Sequence, residues 1–148
     1  MTEYFTVTRT LQAPRDLVFE ALTRPEHFAV WFGTAAVEVP QETLTMDVRP
    51  GGAFRAVMHL PDGGLIHWAG EYRVVEPPSH LAMTLTDQPG DDAGLPVLFD
   101  LEESDGATVL TIRQDRSDFT DEQVAATIAG YNAFVDDIER VLERLQTA

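Results

Sequence analysis

Between residues 43 and 115 the chain is cut at short intervals by turn-forming clusters, RPGG, PDGG, EPPS, DQPGDDAG and ESDG, and the segments between them carry alternating apolar residues. Such segments read as strands, at 36–39, 43–48, 53–60, 64–75, 80–87, 95–103 and 107–115, with YFTVTRTL at 4–11 as a further one. Short connections make neighbouring strands pair antiparallel. Parity gives the sheet one apolar face: Leu44, Met46, Val48, Phe54, Ala56, Met58, Ile66, Trp68, Tyr72, Val74, Leu81, Met83, Leu85, Val97, Phe99, Leu101, Leu110 and Ile112. The other face carries Arg55, His59, His67, Glu71, Arg73, Asp100, Glu102 and Arg113. One side is covered and the other wet, as is usual for antiparallel sheets.

The turn at PDGG tests that parity. A two- or four-residue loop would set Met58 opposite His67, an apolar side chain on a polar face. A three-residue loop, Pro61-Asp62-Gly63, with Gly63 in the left-handed conformation, pairs Leu60 with Gly64 instead. Met58 then meets Ile66, Ala56 meets Trp68, and Phe54 meets Gly70, so large side chains oppose small ones and the apolar face stays intact.

Helical spacing appears outside this block. Pro14 stands where a first helical residue would, ahead of LVFEAL, and Thr23 and Glu26 have capping-box spacing with Pro25 at the first helical position of PEHFAVWF. A second capping box, Thr120 with Gln123, opens a long segment whose first turn holds Asp121 and Glu122, suited to the positive end of a helix dipole. Val124, Ile128, Tyr131, Val135, Ile138, Leu142 and Leu145 follow at alternating steps of four and three, widened by Phe134 and Val141. The helix has about seven turns and a length of roughly 37 Å. Coiled-coil pairing is the alternative for such spacing, but the stripe is short and the sheet needs a cover. Packed on the sheet, the helix is what Trp68 and Tyr72 face.

Composition removes whole classes of function. The formal net charge is −15, which disfavours nucleic acid and anionic membrane surfaces as partners. All ten basic residues apart from histidine are arginines, so Schiff-base lysine chemistry and a P-loop are excluded. Without cysteine there is neither a thiolate nucleophile nor a thiolate metal site. Ser79, Ser104 and Ser117 lie in turn-like sequence with no G-x-S-x-G elbow. No segment approaches the roughly 20 apolar residues of a membrane span, and MTEYFTVTRT lacks the marks of a secretory signal; the expected location is the cytoplasm. At 148 residues the chain is expected to be a single domain, 1–148.

The segments APRDLVFEALTRPEHFAVWFG (13–33), RPGGAFR (49–55), GEYRVVEPP (70–78) with Leu81 following, TVLTI (108–112) and the pair Gly130-Tyr131 carry a resemblance. In their order and spacing the chain resembles the START-like, or SRPBCC, superfamily, and within it the family of the heat-shock protein 90 ATPase activator homologue, of the C-terminal-domain type. WFG at 31–33 departs from the two tryptophans common there, and Tyr131 stands where tryptophan is common. The resemblance implies an α+β helix-grip fold, like that of the birch pollen allergen. A curved antiparallel sheet of about six to seven strands is followed by a long C-terminal helix across its concave face, with two short helices after the first strand. It also implies a pocket between sheet and helix, used in the superfamily for lipids, hormones and polyketide-like molecules.

The residues expected around such a pocket are Phe32, Phe54, Met58, Trp68, Tyr72, Met83, Phe99, Tyr131, Phe134 and Val135. They either enclose a cavity or fill the space as solid core. Tyr72 and Tyr131 each bring a hydroxyl that needs a partner once buried, in the protein or in a ligand. His27, His59, His67 and His80 are isolated and lack metal-ligand spacing; His59 and His67 belong to the wet face, and His27 lies near Trp31 at a candidate pocket mouth. Arg55 and Glu71 read as a surface ion pair, and GDDAG at 90–94 as a solvated turn without calcium-loop spacing. No catalytic residue, metal or cofactor is assigned. Three readings stay open: non-catalytic binding of a small hydrophobic ligand, stimulation of a heat-shock-90-class chaperone's ATPase, and polyketide cyclase or dehydratase chemistry. The partner is then a small hydrophobic molecule or a chaperone, and the chain is a monomer or a homodimer.

Overall fold

The computed structural model describes residues 3–33, 37–87, 95–117 and 119–147. Its strands are β1 (Tyr4–Leu11), β2 (Thr45–Met46), β3 (Ala53–His59), β4 (Leu65–Glu76), β5 (His80–Met83), β6 (Val97–Ser104) and β7 (Ala107–Asp115). They form one seven-stranded antiparallel sheet in the order β1-β7-β6-β5-β4-β3-β2. The first strand therefore lies at the edge beside the last. Helices α1 (Arg15–Thr23) and α2 (Pro25–Gly33) follow β1, and α3 (Asp121–Thr147) ends the chain. This is the α+β helix-grip arrangement.

The hairpin between β3 and β4 has the register its turn demands. The Leu60 amide donates to the Gly64 carbonyl at 2.8 Å, Gly63 stands at φ +90°, and Met58, Ala56 and Phe54 pair with Ile66, Trp68 and Gly70. A left-handed φ is costly for any residue with a Cβ, so the glycine sets loop length and the loop sets which face the β4 side chains take as far as Tyr72. Gly70 is required for a different reason. A Cβ there would sit 1.9 Å from the Thr84 carbonyl oxygen, where the chain leaving β5 crosses β4.

Five local expectations are corrected. Thr23 does not cap α2; it ends α1, and its hydroxyl donates back to the Phe19 carbonyl at 2.8 Å. Pro14 precedes α1 in an extended conformation rather than occupying its first turn. The segment 43–48 pairs only at Thr45–Met46, because the Thr43 amide and hydroxyl both bond Pro40 and wind Gln41–Thr43 into a 3-10 turn. Within 36–39, only Glu38 pairs, bridging His59, and Ala36 lies outside the described residues. A bulge between Tyr72 and Val74 also inverts parity, so that Val75 turns inward and Val74 lies 37% exposed.

Helix α3 starts with both reciprocal bonds of its capping box, Thr120 N–H to Gln123 Oε1 at 2.8 Å and Gln123 N–H to Thr120 Oγ1 at 3.1 Å. Val124, Tyr131, Val135, Ile138, Val141 and Leu142 are buried in a single core with Phe5, Val7, Leu11, Leu101, Leu110 and Ile112 from the sheet. Arg9 shares the inward parity of Phe5, Val7 and Leu11, and its guanidinium reaches α3 at Asp136 and Glu139, both at 2.9 Å, and at Asn132. Those bonds hold the Arg9 guanidinium above its ordinary pKa. Among the described residues no helix is long and apolar enough to cross a membrane.

Candidate functional site

The space between sheet and α3 has two dissimilar ends. One is filled by α2. Phe28 stacks on Phe32 at 4.7 Å between centroids, meets Phe54 edge-on at 5.2 Å, and touches Trp31 at 4.5 Å. Phe54 in turn meets Tyr72 edge-on at 6.4 Å. Phe28, Phe32, Phe54 and Tyr72 are fully enclosed. The Trp31 indole N–H donates to the Ala21 carbonyl at 2.8 Å, which locks α2 onto α1 and fixes the angle at which these rings enter the core.

The other end is open. A cleft of about 550 Å³ lies beyond Phe32, walled by Trp68 from β4, Leu85, Thr86 and Asp87 after β5, Leu95 and Val97 at β6, Gln114 and Asp115 at the end of β7, Phe119, and Thr127, Gly130, Tyr131 and Phe134 of α3. The α3 residues fall at helical steps of three, one and three, a single face of the helix. A Cβ on Gly130 would meet nothing within 4 Å, so the helix backbone itself borders empty space. Phe32 divides the two ends, stacked on Phe134 at 5.3 Å and edge-on to Trp68 at 5.6 Å. Behind it, a void of about 20 Å³ touches Met83, Phe99, Ile112 and Ile138.

Several polar groups belong to the cleft lining. The Tyr131 hydroxyl donates to the Gln114 side-chain carbonyl. Burial pushes the Tyr131 phenol above its ordinary pKa, so at neutral pH it is a protonated donor and not a base. The Asp115 carboxylate accepts from the Ser117 amide at 3.1 Å and from the Ser117 hydroxyl. The Trp68 indole N–H and the Tyr72 hydroxyl are both buried without a hydrogen-bond partner among the described residues. Burial raises the Tyr72 pKa as well. Among the described residues no group of three or more His, Asp or Glu side chains is placed to hold a metal ion.

Of the residues singled out from sequence, Phe32, Trp68, Tyr131 and Phe134 line the cleft, and Met83 and Phe99 line the small void behind it. Phe54, Met58, Tyr72 and Val135 are buried in the core away from the cleft walls. His59 and His67 are exposed, His80 pairs with Asp100 at 2.7 Å, and His27 does not line the cleft. Glu71 bonds Arg73 at 3.1 Å, along its own strand, in place of the expected Arg55. The GDDAG segment at 90–94 lies outside the described residues. Sequence reasoning missed Thr86, Asp87, Gln114, Asp115 and Thr127. One signal was present: Gln114 continues the inward alternation of Leu110 and Ile112 along β7, as Arg9 continues that of Phe5 and Val7 along β1.

The profile of the family described as Activator of Hsp90 ATPase homolog 1-like protein matches residues 12–143. Among solved structures, the chain is similar to a protein of Nitrosomonas europaea, with a TM-score of 0.80 and 20% identity over 98% of this chain and 97% of that one. It is similar to the AHSA1-like protein of Aeromonas hydrophila at a TM-score of 0.79 and 19% identity, covering 99% of this chain and 96% of that one. At these identities the likeness concerns the fold. DynU16, a protein in the dynemicin biosynthetic locus, is 26% identical at a TM-score of 0.73, covering 95% of this chain but 47% of DynU16. No curated protein sequence matches the chain.

Proposed function

The chain belongs to the Activator of Hsp90 ATPase homolog 1-like family, and on that premise we propose that it binds a small hydrophobic molecule, without transforming it, in the cleft between the sheet and α3. The observation that carries this reading is the cleft itself: about 550 Å³, walled by Phe32, Trp68, Phe119, Tyr131 and Phe134, with Thr86, Asp87, Gln114, Asp115 and Thr127 as its hydrogen-bonding groups. Concave apolar walls with a few directed polar groups are the usual form of a small-molecule site. The buried Trp68 indole N–H, a donor without an acceptor among the described residues, is a group that a ligand oxygen would relieve.

Gly130 provides the test. Because its missing side chain faces open space, Gly130→Leu places a branched side chain in the cleft without displacing any neighbour within 4 Å of the new Cβ. Apolar ligands screened by thermal shift are expected to raise the melting temperature of the wild type, by linkage of binding to folding, and to leave Gly130→Leu unmoved. A ligand that shifts both proteins equally, or a broad panel that shifts neither, contradicts the reading.

Two findings keep other readings in view. The family description favours chaperone stimulation, which requires faster ATP turnover by the cognate chaperone when this protein is added; an unchanged rate at saturation dismisses it. The likeness to DynU16 favours chemistry on a bound polyketide-type substrate. In that case Tyr131→Phe, which removes the one phenol among the described residues of the cleft, slows turnover; equal rates exclude the assignment.

A further inference from the structure

The charged groups of the cleft narrow the class of molecule it takes. Among the described residues, the walls include two carboxylates, Asp87 and Asp115, and no arginine or histidine. The arginines nearest in sequence are turned elsewhere: Arg113 is exposed on β7, one step out of phase with the inward residues Ile112 and Gln114, and Arg116 is bonded to Asp121 at 2.7 Å. The Asp115 carboxylate is held in place through its Oδ1 by the Ser117 amide and hydroxyl, so its position is set before any ligand arrives. Five of the remaining wall residues are aromatic: Phe32, Trp68, Phe119, Tyr131 and Phe134. Ring faces attract cations and repel anions, and the attraction grows where water is excluded. The chain as a whole carries a net charge of −15, a field of the same sign.

We propose that the ligand is an amine-bearing apolar molecule, its ring or chain against Phe32, Trp68 and Phe134 and its cationic nitrogen toward Asp87 and Asp115. A fatty acid or other apolar carboxylate is the ligand this site rejects. The inference rests on the hydrophobic-binding reading above and specifies which hydrophobic molecules that site selects.

Three probes of nearly equal shape separate the two ideas: naphthylethylamine, naphthaleneethanol and naphthylacetate, titrated by calorimetry at moderate salt. The amine is expected to bind about tenfold tighter than the alcohol, and the carboxylate weakest. In the double variant Asp87→Asn, Asp115→Asn the ratio of amine to alcohol affinity falls to about twofold or less. A variant of equal net charge, Glu42→Gln with Glu76→Gln at exposed positions outside the cleft, keeps the wild-type ratio, which separates the local effect from the general field. Binding of the alcohol with no preference for the amine, or a preference that survives the Asp87, Asp115 double variant, overturns this inference and leaves the binding reading standing. Failure of all three probes, together with a silent thermal panel, overturns both.

Discussion

The two ends of the space under α3 are built from the same residue types and behave as opposites. At the filled end, Phe28 and Phe32 of α2 reach Phe54, which in turn meets Tyr72, so that four enclosed rings form one chain of contacts. At the open end, Trp68, Phe119, Tyr131 and Phe134 border a cleft. The difference is the reach of α2. Helix α2 ends at Gly33, and beyond Phe32 it has no further ring to supply. Gly130 then leaves the facing stretch of α3 without a side chain. An aromatic residue in such a fold is therefore core or cleft wall according to what lies opposite it, not according to its own chemistry.

The largest single effect is expected at the filled end. Phe54→Ala, in the filled end, is expected to cost about 3–5 kcal/mol of unfolding free energy, transfer and cavity contributions together. Phe119→Ala, at the half-buried wall of the cleft, is expected to cost about 1 kcal/mol. Denaturant titration of the two variants measures both, and equal losses would abolish the distinction.

The glycines give the next contrast. Gly70→Ala drives a methyl against the Thr84 carbonyl oxygen, 1.9 Å from where the Cβ must go, and the backbone has to move. A loss of about 2–3 kcal/mol is expected. Gly130→Ala meets no neighbour and replaces a poor helix former, for an expected gain of about 1 kcal/mol. Melting temperatures moving in opposite directions sharpen the comparison; a destabilised Gly130→Ala breaks it.

The smallest contrast is between two hydroxyls. Tyr131→Phe leaves the Gln114 amide without its donor and is expected to cost about 1 kcal/mol at neutral pH. Tyr72→Phe removes a buried hydroxyl that has no partner among the described residues, so it is expected to be neutral or stabilising by about the same amount. Burial raises both tyrosines above the ordinary value, so the folded protein holds these protons more tightly than the unfolded chain. Their contribution is complete below about pH 10 and is lost as the pH climbs through the raised folded values. Denaturation curves at neutral and alkaline pH are expected to show each Phe variant losing less stability than wild type above pH ~10; a parallel decline refutes the assignment.

What the sequence makes legible is the part in which local and global signals agree. At PDGG the left-handed glycine and the apolar alternation select the same register, and at Thr120-Gln123 the capping box coincides with the start of the apolar stripe. Where a local signal stands alone it misleads: Thr23 has the spacing of a cap, yet it is the last residue of α1 and its hydroxyl donates to the Phe19 carbonyl. The bulge after Tyr72 inverts parity, and its own residues Tyr72, Arg73 and Val74 include no glycine or proline. The cleft was legible in much of its aromatic wall and dark in its polar lining, because Asp87, Asp115 and Thr127 come from separate elements that only the fold brings together. Phe54 and Tyr72 could not be told from wall residues, since the rings of α2 that cover Phe54 lie outside the sheet's own pattern.

The claim on which the rest depends is that one end of the grip is vacant for a ligand and the other is solid. Titrating naphthaleneethanol into the methyl- and aromatic-labelled protein and following chemical shifts tests it directly. Shifts confined to Leu85, Val97, Tyr131 and Phe134, with Ala56, Phe54 and Val135 unmoved, are the expected result. Shifts centred on Phe54 and Val135, or none at concentrations that saturate a site of ordinary affinity, would contradict it.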